Sequence, residues 1–392
     1  MVPTTVGMNN APKDIFNLEL KRLKLYQFKN YESIEISFDE HINCFLGNNG
    51  EGKTNLLDAI HYLCFTKSYF NAVDAQNIRN GEEQCSITGD FLRNEIPEEL
   101  HCAIRKGQRK VLKRNNKEYD RLSEHIGHFP SVMITPYDIE LILDGSEVRR
   151  KFIDATISQY SVNYLEQLIQ YNHALQSRNN LLKQMGKSNA FMAEHLEPWD
   201  HRLDMHAQTI FSERQHFIDT FLPLFKEVYA YITNDKENPD IRYEHDDMSQ
   251  GLLPLLEKNK DRDRILERTS AGPHKDDLDF MLGGISLKKF GSQGQQKSFL
   301  IALKLAQYLI ITRKSGIYPI LLLDDLYDKV DETRVSNLLK WLTEHHFGQI
   351  FITDTHVDRI PVLLQRLDAK HKAFKIQNNN SQVIPLENEF AQ

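Results

Sequence analysis

The pattern of hydrophobic and polar positions is clearest over residues 42–60, which read INCFLGNNGEGKTNLLDAI. The apolar run at 42–46 is typical of a buried strand, and the apolar residues at 56, 57 and 60 have helical spacing. A glycine-rich segment, 47–54, lies between them. This order predicts a strand, a tight phosphate-type turn and a helix.

Alternating apolar and polar residues predict further strands in the first third of the chain. Residues 18–37 alternate twice with a break near Asn30, which indicates a hairpin or two successive strands. Asn115-Asn116 is typical of a tight hairpin turn. A small antiparallel sheet is predicted from four shorter alternating pieces, at 86–92, 100–105, 110–114 and 131–135.

A helical region follows. Residues 157–185 contain neither glycine nor proline and carry apolar residues at helical spacing, and a break is expected at 186–188. A second helical stretch, 199–232, is expected to be interrupted at Pro223. Two helices joined by a short loop predict an antiparallel helical arm.

The last part of the chain returns to mixed patterns. Residues 234–247 indicate a loop or edge strand, 252–268 mixed helix and 270–282 extended chain. Residues 318–325, YPILLLDD, predict an apolar strand that ends in two carboxylates. A strand this apolar is expected inside a parallel sheet, so the fold class is α/β with an accessory antiparallel sheet and an inserted antiparallel helical arm.

The glycine-rich turn has the residues of a P-loop. Backbone N–H groups of such a turn surround phosphates, and the helix that follows directs its positive end at them. Lys53 is expected to reach the β- and γ-phosphates, and the Thr54 hydroxyl to coordinate Mg²⁺. The alternative is an ordinary glycine turn. The candidate nucleotide-binding residues here are Gly47, Asn48, Asn49, Gly50, Glu51, Gly52, Lys53, Thr54 and Asn55.

Two later segments supply candidate partners for the P-loop. We assign Asp324 to Mg²⁺ and Asp325 to the attacking water, so Lys53 and Asp325 are the candidate catalytic residues; an acidic helix N-cap pair is the alternative. The segment SQGQQKS, 292–298, begins a helix and forms a second anion-directed helix end. The two ends meet either within one chain or between two copies.

Composition narrows the class. The chain has 392 residues, 40% of them hydrophobic and 26% charged, with a net charge of −7. Its four cysteines lie singly, as in a cytosolic protein with reduced thiols, and the first sixteen residues resemble a loose tail rather than a leader. The longest apolar stretch is interrupted by Lys304 and Gln307, which argues against a membrane span. We therefore expect a cytoplasmic protein.

Any DNA-binding surface must be local, because the overall charge is negative. The densest basic cluster lies at 105–117, without an acidic residue in that interval. It is interpreted either as a solvated hairpin or as a phosphate-backbone contact. The candidate DNA-binding residues are Arg105, Lys106, Arg109, Lys110, Lys113 and Arg114.

Taken together, these motifs resemble the SMC-like branch of the ATP-binding-cassette ATPases, and within it the bacterial members that act in DNA replication and recombination. The resemblance covers nearly the whole chain from about residue 18. The stretches that carry it are FKNY at 28–31, GNNGEGKTNLLDAIHYL, ITPYDIELILDGSEVRRKFID, AGPHKDD, SQGQQKS and LLLDD.

The resemblance implies a domain arrangement. Residues 18–156 and 263–392 would form an ATPase head, 157–262 a helical arm, and 1–17 a flexible tail. ATP and Mg²⁺ would be held between two heads in an ATP-dependent homodimer. The DNA preferred would be junctions between duplex and single strand, with a recombination mediator of the RecR type as partner and with weak, DNA-stimulated ATP hydrolysis.

The resemblance also implies further site residues. Ser292, Gly294 and Gln295 would contact the γ-phosphate held on the partner chain. Lys29 and Asn30 match positions near the nucleotide. Of the loop after the acidic strand, only Asp331 matches the pattern of the branch.

Two positions depart from that pattern or stay open. The strand that ends at Thr135-Pro136 lacks the glutamine that usually positions water, so this role is unassigned. His356 is either a switch histidine or a surface loop histidine. A different class, a monomeric P-loop phosphotransferase for a small molecule, explains the P-loop and paired acids but not SQGQQKS or the arm.

Overall fold

The computed structural model describes residues 15–188, 192–234, 237–325, 332–345, 347–377 and 382–385. The predicted tail, 1–17, therefore lies mostly outside the described residues. At its end, Phe16 pairs with Ile317: the Phe16 amide donates to the Gly316 carbonyl at 2.8 Å and the Tyr318 amide donates to the Phe16 carbonyl at 3.0 Å.

The described chain contains both strands and helices. Its strands are β1 Leu18–Phe28, β2 Tyr31–Ser37, β3 Ile42–Leu46, β4 Gln84–Arg93, β5 Ile96–Arg105, β6 Val111–Arg114, β7 Lys117–Glu118, β8 Ser131–Ile134, β9 Pro239–Glu244, β10 Asp277–Leu282, β11 Ile285–Ser286, β12 Ile320–Leu323, β13 Ile350–Asp354, β14 His371–Gln377 and β15 Gln382–Pro385. Its helices are α1 Lys53–Phe65, α2 Glu140–Leu143, α3 Ser146–Ser158, α4 Val162–Ser188, α5 Glu197–Thr233, α6 Leu253–Lys258, α7 Lys260–Leu266, α8 Leu287–Phe290, α9 Gln293–Ser315, α10 Glu332–Glu344 and α11 Arg359–Arg366.

The chain divides into two compact units. Unit 1 contains residues 1–139, 227–236 and 292–392, and unit 2 contains 140–226 and 237–291. Most of the predicted arm, 157–262, falls in unit 2. This unit also includes α2, most of α3 and the strands β10 and β11, which lie outside 157–262, whereas residues 227–236 of the predicted arm fall in unit 1.

Unit 1 is built around a mostly parallel sheet in the order β15-β14-β3-β13-β12-β8. β3 lies between β14 and β13, and β12 is paired on both sides in parallel register. The strand predicted from the YPILLLDD pattern is thus an interior strand, as expected. Because all these parallel strands point the same way, their carboxyl ends meet at one edge.

A second sheet of unit 1 is antiparallel, in the order β2-β1-β4-β5-β6-β7. The predicted hairpin over 18–37 is confirmed, and Asn115 and Asn116 both have positive φ in the turn between β6 and β7. The assignment of 131–135 to this sheet is wrong. β8 pairs with β12 in the parallel sheet instead, because all four of its residues are buried and none faces solvent as in an antiparallel surface strand.

Aromatic side chains pack next to the P-loop strand. Phe45 of β3, Phe351 of β13 and Phe374 of β14 surround Phe38, with the Phe38 and Phe351 ring centroids 4.9 Å apart. All four are buried and belong to a core that also includes α1 and both sheets. This packing fixes the strand from which the P-loop starts.

Unit 2 contains α4 and most of α5, and both helices continue through positions where the sequence predicted breaks. The break expected at 186–188 is wrong, since α4 continues to Ser188. The interruption expected at Pro223 is also wrong, because α5 passes through it. Pro223 is exposed, while the neighbouring Phe221, Leu224 and Phe225 are buried, so apolar packing outweighs the hydrogen bond that proline removes.

Unit 2 also contains a three-stranded antiparallel sheet in the order β11-β10-β9. The predicted edge strand in 234–247 is β9, which starts at Pro239, where a missing N–H is tolerated. The mixed helix expected over 252–268 is α6 and α7.

Two buried arginines connect these elements within unit 2. Arg178 of α4 binds Asp200 at 2.5 Å and Asp263 of α7 at 2.7 Å. Arg214 of α5 binds Asp154 at 2.8 Å and Asp276 at 2.7 Å. Each guanidinium satisfies carboxylates from separate segments, so loss of either one would leave buried charges unpaired.

None of the helices within the described ranges has both the length and the apolar content needed to cross a membrane.

The side chain of Gln349 joins the two sheets of unit 1. Its amide oxygen accepts the Leu20 N–H at 2.7 Å, and its amide nitrogen donates to the carbonyls of Leu20 at 3.0 Å and Asp39 at 2.6 Å. Gln349 is fully buried. It pairs backbone groups of β1 beside an irregularity in the β1–β4 register, at a position that β2 does not reach.

We expect Gln349→Leu to lower the free energy of unfolding by about 3 kcal/mol, because buried backbone groups lose their partners. Thermal and urea unfolding measure the change, and the exposed Gln365→Leu is the matched control. Equal stability of the two variants would show that these hydrogen bonds contribute nothing net.

Candidate nucleotide-binding site

The P-loop lies where β3 ends and α1 begins, at residues 47–52. A Cβ at Gly47 would lie 2.4 Å from the Ile376 carbonyl oxygen of β14. At Gly52, where φ is 103°, a Cβ would lie 2.4 Å from the Asn30 side chain. Both positions therefore require glycine for close approach, and the predicted strand, turn and helix are confirmed.

Lys53 is the first residue of α1 and is almost completely buried. Its ammonium group donates to the carbonyls of Gly47 at 2.7 Å and Asn48 at 2.8 Å. Burial lowers the pKa of Lys53, and the nearby carboxylates of Asp325 and Glu51 oppose this shift. Lys53 is thus held against the P-loop, where it is expected to contact the phosphates.

The Glu51 side chain folds over the same loop. Its carboxylate accepts the backbone N–H of Asn48 at 3.0 Å and the Asn48 side-chain amide at 3.3 Å. Asn48, Asn49 and Gly50 are exposed. The Asn48 N–H thus binds an anionic oxygen, which here belongs to the Glu51 carboxylate.

The Asp324 carboxylate lies at the carboxyl end of β12 and joins three segments. It accepts the Thr54 hydroxyl at 3.0 Å and the Thr353 hydroxyl at 2.7 Å. Burial raises its pKa, and the two hydroxyl hydrogen bonds counter this shift. Thr54 and Asp324, predicted as metal ligands from distant parts of the sequence, are brought together.

This oxygen set fits Mg²⁺. Protein sites for this ion use one or two carboxylates and hydroxyls together with substrate phosphates rather than a dense cage. Across the described part of the chain there is accordingly no group of three or more His, Cys, Asp or Glu arranged to hold a metal. A cation would supply the charge that a buried carboxylate favours.

Asp325 follows directly and has a left-handed backbone, with φ at 43°. Its N–H donates to the Thr353 hydroxyl oxygen at 2.9 Å, so Thr353 contacts both acids. Thr353 was not among the residues predicted from the sequence. The available signal was its position near the end of a strand, beside Asp354 and shortly before His356 in the stretch FITDTH, residues 351–356.

The other residues after β13 form a separate arrangement. Arg359 donates to the Asp354 carboxylate at 3.0 and 2.6 Å, and the His356 N–H donates to it at 3.2 Å. The His356 side chain is exposed. Its role as a switch histidine stays a prediction, as does that of Asp331, which lies outside the described residues.

The turn between β1 and β2 packs against the P-loop. The Asn30 amide donates to the Glu51 carbonyl at 3.4 Å and accepts from the Asn55 side chain at 2.7 Å, while the Tyr31 hydroxyl donates to the Gly52 carbonyl at 3.1 Å. The P-loop is thus held in place by side chains that are not part of residues 47–52, namely those of Asn30, Tyr31 and Asn55. From the sequence, Tyr31 was noted only as the last residue of the FKNY stretch and not as a site residue.

Lys29 lies at the same turn but is directed elsewhere. Its ammonium group forms an ion pair with the buried Asp58 carboxylate of α1. Asp58 also accepts the Ser68 hydroxyl at 2.6 Å and the Tyr69 N–H at 2.7 Å. In this arrangement Lys29 anchors the turn to α1 rather than facing the loop.

Ser292 caps α9 in a reciprocal capping box with Gln295. The Gln295 N–H donates to the Ser292 hydroxyl at 3.2 Å, and the Ser292 N–H donates to the Gln295 side-chain oxygen at 2.8 Å. A Cβ at Gly294 would lie 2.7 Å from the Arg334 guanidinium of α10. The second predicted anion-directed helix end is therefore ordered and partly exposed.

A buried polar cluster follows β8, where the sequence left the water-positioning role open. Asp138 accepts the Thr135 N–H at 2.7 Å and forms an ion pair with Lys304 of α9 at 2.8 Å. The Tyr69 hydroxyl contacts both, donating to Asp138 and accepting from Lys304. Asp138 links the end of β8 to the helix that Ser292 caps.

The basic hairpin is partly neutralised within unit 1. Lys106 pairs with Glu83 at 3.1 Å, Lys110 with Asp74 at 3.0 Å and Arg114 with Glu98 at 2.5 Å. Arg109 donates to the Asp120 carbonyl at 3.3 Å. Arg105 and Lys113 have no ion pair with the carboxylates of the described residues, so about half of the predicted cluster keeps an unbalanced charge.

Comparison with known proteins adds independent information. Residues 19–381 match the family model described as RecF/RecN/SMC N terminal domain. The DNA replication and repair protein RecF of Flavobacterium johnsoniae is 45% identical over 361 residues, covering 92% of this chain and 100% of that protein. RecF of Phocaeicola vulgatus is 44% identical, covering 92% and 96%.

Solved structures give the same result as the sequence matches. The recombination mediator protein RecF with ATPrS, in the RecFOR pathway, matches with a TM-score of 0.85 and 28% identity over 96% of this chain and 100% of that one. An Smc head domain from Pyrococcus furiosus, bound to the C-terminal domain of ScpA, matches with a TM-score of 0.57 and 15% identity over 95% and 98%, which shows the shared fold. With both the sequence matches and the geometry of the P-loop edge, the chain belongs to the RecF family of DNA replication and repair proteins, within the RecF/RecN/SMC group.

Proposed function

We propose that this chain is an ATP-dependent DNA clamp of recombinational repair and replication restart. ATP binding closes a homodimer on DNA at gaps or junctions between single and double strand, and hydrolysis resets it. In this role it aids recombinase loading together with a mediator of the RecR type. Support comes from the RecF relatives and from the ATP-site residues of unit 1.

The observation that most directly supports this proposal is the contact between Thr54 and Asp324, which are 270 residues apart in the sequence. The Thr54 hydroxyl lies 3.0 Å from each oxygen of the Asp324 carboxylate. This contact places the P-loop hydroxyl and the acidic strand end at one position. Lys53 and the loop N–H groups would hold the β- and γ-phosphates, and Thr54 and Asp324 would hold Mg²⁺, which neutralises phosphate charge.

Asp325 is proposed to orient or deprotonate the attacking water. Its backbone is fixed by Thr353, so its side chain leaves the strand end at a set angle beside Asp324. Burial favours the uncharged form of Asp324, and neighbouring negative charge from Asp325 acts in the same direction. A bound cation and the Lys53 ammonium group would relieve this repulsion.

Ser292, Gly294 and Gln295 are proposed to complete the site of a partner copy. The capping box fixes the start of α9, and Ser292 is exposed there, so the positive end of this helix is a suitable position for a γ-phosphate. Closure would then require nucleotide, because the phosphate would join groups from two chains. Weak, DNA-stimulated hydrolysis is part of the same proposal.

We expect Lys53→Ala to weaken ATP binding by about tenfold to a hundredfold, because charge-assisted hydrogen bonds to phosphate are lost. ATP-dependent dimerisation should disappear, and Ser292→Ala should give the same loss of dimer with nearly normal ATP binding. Sedimentation and nucleotide titration measure both. The exposed Lys340→Ala is the charge-matched control for Lys53→Ala.

For Asp325→Asn we expect at least a hundredfold loss of hydrolysis with retained ATP binding, because a general base is removed without steric change. The variant should accumulate as a closed, DNA-bound dimer. Finding it monomeric at saturating ATP would refute the shared site. Normal monomeric turnover that is insensitive to DNA, with phosphorylation of a small acceptor, would instead support a phosphotransferase.

The hairpin is a proposed contact for DNA phosphates. We expect Arg105→Ala, Arg109→Ala and Lys113→Ala together to weaken DNA binding and to lower the salt slope by about 3, one for each phosphate contact. Lys110 and Arg114 are left intact because they pair with acids. Fluorescence anisotropy over a salt series measures the slope, and an unchanged slope excludes the hairpin.

A further inference from the structure

The AGPHKDD motif, residues 271–277, belongs to unit 2 and is not part of the nucleotide site of unit 1. This motif is one of the stretches that carry the family resemblance, but the proposed ATP chemistry gives it no role. Its side chains divide into two kinds. Most are buried or bonded inside unit 2, whereas Lys275 is exposed.

The segment around Lys275 is held rigidly. Arg214 donates to the Pro273 carbonyl and to the Asp276 carboxylate, both at 2.7 Å, and the Tyr243 hydroxyl donates to Asp276 as well. On the other side, His274 contacts the Tyr171 hydroxyl at 2.7 Å. The residues before and after Lys275 are thus both anchored, which limits the entropy lost when this lysine binds a ligand.

Three arginines lie on segments that contact the Lys275 turn: the His274 ring nitrogen Nε2 lies 3.0 Å from the Thr269 carbonyl oxygen, and the Ser270 N–H donates to the Asp263 carboxylate of α7 at 2.9 Å. Arg262 on α7 and Arg268 just after it are exposed, and Arg150 of α3 donates to the Asp276 carbonyl at 2.6 Å. Within the described parts of the chain, Arg262, Arg268 and Lys275 form no ion pair. We call Arg150, Arg262, Arg268 and Lys275 the unit 2 basic cluster.

Nearby acids do not balance this charge. Asp263 is buried and already paired with Arg178 at 2.7 Å, Asp276 is paired with Arg214, and Asp277 is paired with Arg149 at 2.6 Å. On α7, Asp261 remains as an exposed carboxylate. The cluster therefore keeps a net positive charge although the whole chain carries −7.

The charges of the cluster act on one another. Partial burial lowers the pKa of Lys275, and the positive charges of Arg268, Arg150 and Arg262 lower it further, while Asp263 acts in the opposite direction. An anion bound here would relieve this repulsion and favour the charged lysine. Cations held close together without carboxylate partners are typical of phosphate contacts.

We propose that the unit 2 basic cluster binds backbone phosphates of DNA, with Lys275 as its fixed centre. This inference rests on the proposed DNA-binding function and names a contact surface for it. The arginines offer planar, multidentate donors, and Lys275 offers a compact charge on an anchored turn. Contacts of this type position the duplex or strand without reading its sequence.

The test uses the full chain with Arg262→Ala, Arg268→Ala and Lys275→Ala combined, and measures binding of a gapped duplex by anisotropy between low and moderate salt. We expect at least a tenfold loss of affinity at low salt and a salt slope lower by about 3. ATP binding and ATP-dependent dimerisation should be unchanged. Arg150 is kept, since it also bonds the backbone.

The charge-matched control is Arg202→Ala, Lys226→Ala and Arg242→Ala, which removes three cations of unit 2 outside the cluster, of which Lys226 is paired with Asp240 at 2.9 Å. It should bind DNA like the unaltered chain. Arg262→Lys with Arg268→Lys should keep most of the affinity, because the charge is retained.

The outcomes separate the two proposals. If the cluster variant binds DNA with unaltered affinity and slope, or no more weakly than the control, the cluster proposal is overturned while the clamp stands. If the unaltered chain binds no DNA with ATP, with ADP or without nucleotide, the proposed function fails and this contact fails with it. Thermal unfolding of each variant checks that the fold is retained.

Discussion

A buried carboxylate at the end of a central strand is the group on which the nucleotide site depends. Asp324 is nearly inaccessible to solvent, and its charge is disfavoured there unless hydroxyls and cations surround it. Thr54 from the P-loop helix and Thr353 from the neighbouring strand provide the hydroxyls. The position of α1 relative to β12 and β13 is thereby tied to the chemistry of one side chain.

Parallel strand order makes this meeting possible. β3, β13 and β12 lie side by side, so the P-loop, Thr353 and the two acids leave the sheet at the same edge. The phenylalanines around Phe38 keep β3 and β13 in place from the core side. Gln349 joins this sheet to the antiparallel one through backbone groups of β1.

Whether a basic residue leaves a net charge on the surface depends on its ion-pair partners rather than on the number of basic residues in its segment. In unit 1, Lys29, Lys110 and Arg114 sit in basic or polar sequence, yet each is neutralised by an acid from another segment. In unit 2, Arg178 and Arg214 are buried and fully engaged, while Lys275 is exposed between two anchored residues. Basic residues thus stabilise the fold where they are buried and paired with acids, and they remain as surface charge where they are exposed without an ion pair.

Local pattern was a good guide where neighbours along the chain decide the outcome, and a poor one where packing does. The P-loop turn, the Asn115-Asn116 turn and the apolar strand β12 followed from short-range backbone and hydrophobic preferences. Pro223 did not break α5, because buried neighbours on either side outweigh one missing hydrogen bond. The 131–135 piece was placed in the wrong sheet, since strand pairing is a long-range choice.

By itself the sequence determined the strand, turn and helix of the P-loop, the acidic end of β12 and the capped start of α9, since each depends on residues close together in the chain. The tertiary structure alone decided that Thr353 joins the two acids, that Lys29 binds Asp58, and which basic residues keep an unpaired charge. Ion pairing and hydrogen bonding depend on distances between segments that can be hundreds of residues apart, and no local pattern encodes those distances.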